Sequence, residues 1–163
     1  MYYIGIDLGT SATKLMLVTE AGEIVNSITK EYPLYFPHPG WSEQNPSDWW
    51  SACFEGISEL IKGYDANAIA GIGLGGQMHG LVVLDEMDTV IRPAILWMKE
   101  NEPENFARIK KIMLPKDYIN YCLTGVHACD YSDASGMLLL DVEKKAWSKE
   151  MLDICGITEA QMP

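Results

Sequence analysis

Tyr3-Ile4-Gly5-Ile6-Asp7-Leu8-Gly9-Thr10-Ser11-Ala12-Thr13-Lys14 decides the fold. It reads as an apolar strand that ends in a carboxylate, then a tight turn, then a second strand running on through Leu15, Leu17 and Val18. Tyr2, Ile4 and Ile6 alternate with Tyr3, Gly5 and Asp7, and both sets are largely apolar, the pattern of a strand covered on both faces. Gly9, Thr10 and Ser11 supply turn chemistry. Such a turn can hold an anion: Gly9 lets the backbone approach closely, backbone N–H groups face the ligand, and two hydroxyls add donors. Asp7 repels a phosphate directly, so its place beside the turn makes sense with Mg²⁺ or its bound water between them; Lys14 adds positive charge nearby. By its residues alone the stretch fits equally an ordinary hairpin with a solvated aspartate at its mouth.

Outward from this stretch, Glu20 to Glu23 turns the chain and Ile24 to Tyr32 reads as a third strand with the imperfect alternation of an edge. Three successive antiparallel strands then open the domain. A loop rich in proline and aromatics runs from Pro33 to Pro46. Asn45-Pro46-Ser47-Asp48 starts a helix, with Asn45 or Ser47 as its cap, and Trp49, Cys53, Ile57, Leu60 and Ile61 follow helical spacing. Ala68 to Gly75 reads as a buried strand reached by a crossover, hence parallel to a neighbour. Gly76-Gln77-Met78-His79-Gly80 comes next, at its carboxyl end, where ligands of such sheets gather. His79 there fits a ligand-binding imidazole or a turn histidine bonded to the backbone.

Further on, Leu81 to Leu84 and Val90 to Leu96 read as a hairpin, with Pro93 marking an edge and Trp97 closing it. A helical pattern places Phe106, Ile109, Ile112 and Met113 on one face and Arg108, Lys110 and Lys111 on a solvated one. A second helix runs from Pro115 to its stop at Gly125, with Lys116 and Asp117 as a local pair. Ser132 or Asp133 can cap a helix in Asp130 to Gly136, and Ser148 caps a final helix that Gly156 ends.

Composition narrows the function. The chain has 163 residues, which fits one domain or a large piece of one, and 48% of them are hydrophobic, enough for a packed core. A net charge of −11 argues against non-specific nucleic-acid or anionic-membrane binding, though a nucleotide site needs only local positive potential. Cys53, Cys122, Cys129 and Cys155 form no Cys-x-x-Cys pair and read as free thiols of a reducing cytoplasm. No uninterrupted apolar run is long enough to span a bilayer.

Asp7-Leu8-Gly9-Thr10-Ser11 after an N-terminal strand resembles the first phosphate loop of the actin, hexokinase and heat-shock-chaperone type of ATPase. Five further stretches narrow the resemblance to the FGGY carbohydrate kinases, and among them the xylulokinases. These are Trp41-Ser42-Glu43-Gln44, Gly76-Gln77-Met78-His79-Gly80, Arg92-Pro93-Ala94-Ile95-Leu96-Trp97, Leu114-Pro115-Lys116-Asp117-Tyr118 and Asp130-Tyr131-Ser132-Asp133-Ala134-Ser135-Gly136. The resemblance implies an α/β fold: a ribonuclease-H-like ATPase domain, with a mixed sheet and flanking helices. It implies phosphoryl transfer from Mg·ATP to a ketopentose, D-xylulose, giving the 5-phosphate. It places ATP phosphates at Asp7, Gly9, Thr10, Ser11 and Lys14, with Mg²⁺ at Asp7 through water. It places the sugar at Gln77, Met78, His79 and Trp97. It leaves room for a homodimer and expects neither nucleic acid nor membrane as a partner.

The sequence also departs from that family. In xylulokinases the Ile-Leu-Trp stretch continues through several dozen residues to a second tryptophan. Here Trp97 runs directly into Met98-Lys99-Glu100-Asn101-Glu102-Pro103, which matches the family's residues after that second tryptophan. A family segment is therefore expected to be missing between Trp97 and Met98. The resemblance also puts the general-base aspartate and the second, nucleotide-binding domain beyond residue 163. The expected alternative is a sugar-binding domain without turnover. An actin-like assembling ATPase is a third reading, and Gln77-Met78-His79 counts against it.

Overall fold

The computed structural model describes residues 1–39, 41–78, 80–93 and 102–163. The chain divides into two compact units, Met1–Gln77 and Met78–Pro163.

In the first unit, β1 (Tyr2–Leu8), β2 (Ala12–Thr19), β3 (Ile24–Glu31) and β4 (Ile69–Gly76) form one sheet in the order β3-β2-β1-β4. β1 to β3 are successively antiparallel and β4 lies parallel to β1, so the sheet is mixed. α1 (Pro46–Leu60) packs against β2 and β3. Asn45 caps it by accepting from the Ser47 N–H, and Pro46 and Asp48 occupy the first turn, as the sequence predicts. Trp49, Cys53 and Leu60 of α1 are buried with Ile4, Ile6, Leu8, Leu15 and Leu17 of the sheet. Gly56 permits this approach, since a Cβ there would meet Leu15 Cδ1 at 2.5 Å. At the other end of the helix, Asn26 donates to the Leu60 carbonyl at 2.7 Å and Lys30 pairs with Glu59 at 2.7 Å.

Two expectations for this sheet need correction. β1 is covered on one face only: Ile4, Ile6 and Leu8 are buried, while Tyr3 and Asp7 are exposed. β4 is no buried strand, because its glycines carry no side chain to bury and it stands at the end of the strand order; its residues are half-buried or exposed.

In the second unit, β5 (Val82–Leu84) pairs antiparallel with β6 (Lys111–Met113). The expected Val90–Leu96 return strand is reduced to a single bridge, Leu84 to Val90, over its described part. β6 lies along the other side of β5: the Ile91 N–H donates to the Val83 carbonyl at 3.0 Å, and the Lys110 N–H donates to the Leu84 carbonyl at 2.8 Å. α2 (Pro103–Arg108) accordingly stops short of Ile109, contrary to the helical reading through Met113, because Ile112 and Met113 lie opposite Val83 and Val82 in the ladder. α3 (Pro115–Thr124) ends at Gly125 with φ 72°. α4 (Tyr131–Gly136), a short hairpin of β7 (Leu140–Asp141) and β8 (Ala146–Trp147), and α5 (Lys149–Cys155) complete the unit. Ser148 caps α5 and Gly156 ends it, as expected. Val83, Ile109, Ile112, Leu139, Leu152, Ile157 and Met162 form its core. Lys111 is no solvated cation: its Nζ donates to the carbonyls of Ala160 and Met162, both at 3.0 Å. Among the described residues, no helix is long and apolar enough to cross a membrane.

Candidate functional site

The sheet of the first unit brings two sequence-predicted segments to one edge. β1 and β4 run parallel, with Asp7 opposite Gly75 and Leu8 opposite Gly76. The turn Gly9–Ser11 leaves the end of β1, and Gln77 leaves the end of β4 and donates its N–H to the Leu8 carbonyl at 2.8 Å. Asp7 and Lys14 are directly opposed on β1 and β2, both exposed, on the face away from α1. An opposite-charge pair in that position holds a carboxylate and an ammonium within reach of the turn.

The turn itself is held from behind. Tyr32 donates its hydroxyl to the Gly9 carbonyl and its backbone N–H to the Ser11 carbonyl at 3.0 Å. Gln44 donates Nε2 to the Thr10 carbonyl. In a trans peptide a carbonyl and the following N–H point opposite ways. Drawing back the Gly9 and Thr10 carbonyls therefore turns the Thr10 and Ser11 N–H groups outward. Neither is taken up by a hydrogen bond among the described residues. The Gly9 N–H is different: it closes the turn on the Ala12 carbonyl at 2.9 Å. Gly9 thus contributes space, not a donor, since a Cβ there would meet the same oxygen at 2.9 Å. Two outward N–H groups with two adjacent hydroxyls make a small anion cradle.

Burial pushes the Tyr32 phenol well above its ordinary value, with the Cys53 thiol and the Asp7 carboxylate adding to it. It therefore stays a donor at neutral pH. Asp7 is the carboxylate beside the cradle. Among the described residues, no group of three or more His, Cys, Asp or Glu side chains converges as a metal cage. An exposed carboxylate beside an anion cradle suits Mg²⁺, which keeps several waters and takes its other ligands from phosphate oxygens.

His79 and Trp97 lie outside the described residues. Met78 belongs to the second unit, where it is 40% exposed and borders an apolar cavity of about 480 Å³ with Leu81, Phe106 and Leu139. Tyr32 and Gln44 were missed as site residues by sequence reasoning. Gln44 lay inside a stretch that carries the resemblance, yet its partners are 33 and 34 residues away and leave no local pattern.

In the second unit Lys116 does not pair with Asp117. It holds Asp130 and, at 2.8 Å, Asp133. Asp130, not Ser132 or Asp133, caps α4, accepting from the Ser132 and Asp133 N–H groups. Lys116 and the Ser132 hydroxyl hold its carboxyl well below the usual range. Asp117 is buried and accepts from the Leu114 N–H, and burial raises its carboxyl. These groups brace α3 against α4.

The profile of the FGGY family of carbohydrate kinases, N-terminal domain, matches residues 2–100 and 95–163. A xylulose kinase from Escherichia coli is 37% identical over 199 residues, covering 99% of this chain and 41% of that protein. One from Bacillus subtilis is 38% identical over 198 residues, covering 96% of this chain and 40% of that protein. A xyloylose kinase from Brucella ovis superposes with a TM-score of 0.95 at 38% identity, covering 100% of this chain and 42% of that one. The chain thus spans about two fifths of the relatives it matches.

Proposed function

The chain belongs to the FGGY family of carbohydrate kinases, over that family's N-terminal domain, and from this premise we propose that it is the portion of a xylulokinase that holds the sugar and the phosphates of ATP. The observation that carries the reading is the Gly9–Ser11 turn, its outward N–H groups at the same sheet edge as Gln77. The family supplies the sugar and ATP. The fold, a mixed sheet flanked by helices of the actin and hexokinase type, supplies the place.

The reaction is transfer of the γ-phosphoryl group of ATP to a terminal hydroxyl of D-xylulose. The hydroxyl oxygen forms its bond to phosphorus as the bond to the bridging oxygen breaks, and ADP leaves. Thr10 and Ser11 hold phosphate oxygens by N–H and hydroxyl, and Lys14 adds charge. Asp7 would hold Mg²⁺ through water, and the ion supplies charge neutralisation to the phosphates when bound. Gln77, Met78 and His79 hold the sugar hydroxyls, and Trp97 packs on the carbon face of the ring or chain. The base that takes the hydroxyl proton lies outside residues 1–163, with the second lobe. The compartment is the cytoplasm, in keeping with four free cysteines.

A second reading is a sugar-binding domain without turnover. It is supported by the length of the matches: the Escherichia coli match runs over 199 positions against a chain of 163 residues, so that at least 36 face nothing here. We place that missing segment at the Trp97–Met98 join, in keeping with the two overlapping family matches that meet at residues 95–100. D-xylulose-dependent ADP release, measured beside calorimetric titration of the sugar, separates the readings. The kinase, assayed with its second lobe present, releases ADP only with sugar. The binding domain takes up sugar and releases none. Absence of both overturns each.

A further inference from the structure

Gln44 sits between two fixed backbone points. Glu43 before it exchanges both backbone hydrogen bonds with Tyr35, at 2.8 and 2.9 Å, and Asn45 after it caps α1. Its side chain, 8% exposed as a residue, reaches the phosphate turn on one side and the end of β4 on the other. Nε2 donates to the Thr10 carbonyl, and Oε1 accepts from Gln77 Nε2 at 2.6 Å.

One atom sets the direction of this chain of amides. A backbone carbonyl can only accept, so the Gln44 nitrogen must face Thr10 and its oxygen must face Gln77. Gln77 must then present its own nitrogen to Gln44. Its Oε1 is left over, and among the described residues it has no hydrogen-bond partner. The Thr10 carbonyl thus fixes, through Gln44, which way the Gln77 amide faces, and leaves its Oε1 as an acceptor, beside its second N–H, for whatever binds at the end of β4.

We propose that Gln44 is a positioning residue, which locks the Gly9–Ser11 turn and orients Gln77 as an acceptor for a ligand hydroxyl. The consequence is coupling: an occupant that reorients Gln77 also loosens or tightens the hold on the turn. The assignment of a sugar to Gln77 and a phosphate to the turn rests on the functional reading above. The lock itself does not, and its test needs no ligand.

The test is NMR relaxation on the ligand-free polypeptide. The wild type gives rigid backbone order parameters at Thr10 and Ser11, about 0.85. Gln44→Met keeps the length of the side chain and removes its amide; it drops both values below about 0.6 while β1 and the Trp49 indole signal stay unchanged. Gln44→Glu supplies a readout that packing alone would not move. A protonated carboxyl can donate to Thr10 and accept from Gln77, as Gln does, whereas a carboxylate repels the carbonyl. Its burial beside an acceptor raises its pKa above the ordinary value of about 4.3. Order at Thr10 and Ser11 therefore returns in Gln44→Glu as pH falls from about 8 to about 5. The wild type, with the same Asp7, Tyr32 and Glu43 around the turn, shows no such recovery. Should Gln44→Met fail to fold, Gln77→Leu at the more exposed end moves the Thr10 carbonyl carbon shift through Gln44. An unchanged Thr10 shift in Gln77→Leu, unchanged order in Gln44→Met, or a pH-independent Gln44→Glu overturns the proposal.

Discussion

The Tyr32 hydroxyl donates to the Gly9 carbonyl across 23 residues of sequence, and the Tyr32 backbone N–H reaches the Ser11 carbonyl of the same turn. One residue at the end of β3 thus braces the turn between β1 and β2 at two points. Tyr32→Phe removes the first and leaves the Gly9 carbonyl without that donor. The expected cost is about 1 kcal/mol in denaturant unfolding. The same contact carries a pH dependence. Burial raises the folded phenol's pKa, so the stability it contributes is complete below about pH 10 and is lost as pH rises beyond. Tyr32→Phe should flatten that alkaline decline; an equal decline in both proteins would place it elsewhere.

Gly56 is a packing residue. Helix propensity alone favours alanine in α1 by about 1 kcal/mol. Its Cβ would press into Leu15 Cδ1, and overpacking of this kind costs about 1–3 kcal/mol. Gly56→Ala should therefore lower the melting temperature. A rise would mean that Leu15 changes rotamer freely.

Acid acts on the second unit through Asp130. Its carboxyl is held low by Lys116 and by Ser132, so it contributes stability above its unfolded pKa of about 3.9, and that contribution is lost as pH falls below this. Asp130→Asn keeps an α4 cap, loses the Lys116 pair, and should be less stable at pH 7 while showing a shallower fall towards pH 2. Unfolding curves at a series of pH values check the slope.

Much of the first unit was legible in the sequence, because its determinants are local. Leu15 and Leu17 alternate with Lys14 and Met16, and Asn45-Pro46-Ser47-Asp48 announces its helix in four residues. The misreadings arise where distant partners decide. Ile112 and Met113 keep a helical spacing from Phe106, but Val82 and Val83 recruit them into a ladder. Ser132 and Asp133 look like caps, yet Asp130 takes that position. The glycines of β4 and their apolar neighbours suggest burial, while the strand order puts them at an edge. At the site, Asp7, Gly9, Thr10 and Ser11 announce a turn by composition. The braces from Tyr32 and Gln44 have no local signature, since each is a side chain aimed at a backbone carbonyl far away in sequence.

Asp7 separates fold from function. It is exposed and stands beside Lys14 without contributing to the core. Asp7→Asn should change stability by no more than about 0.5 kcal/mol. It should nonetheless abolish Mg²⁺-dependent ADP release wherever the polypeptide turns over. A variant that remains folded and fully active would remove Asp7 from the metal role.

On the proposed function, the end of β4 and the Gly9–Ser11 turn form one sugar and phosphate site. Calorimetric titration of D-xylulose into the wild type and Gln77→Leu tests it most directly, since binding needs no catalytic base. Saturable binding to the wild type is expected, weakened about tenfold or more in Gln77→Leu, in keeping with one lost hydrogen bond to a polar ligand. No binding to the wild type, or equal binding to both, would contradict it.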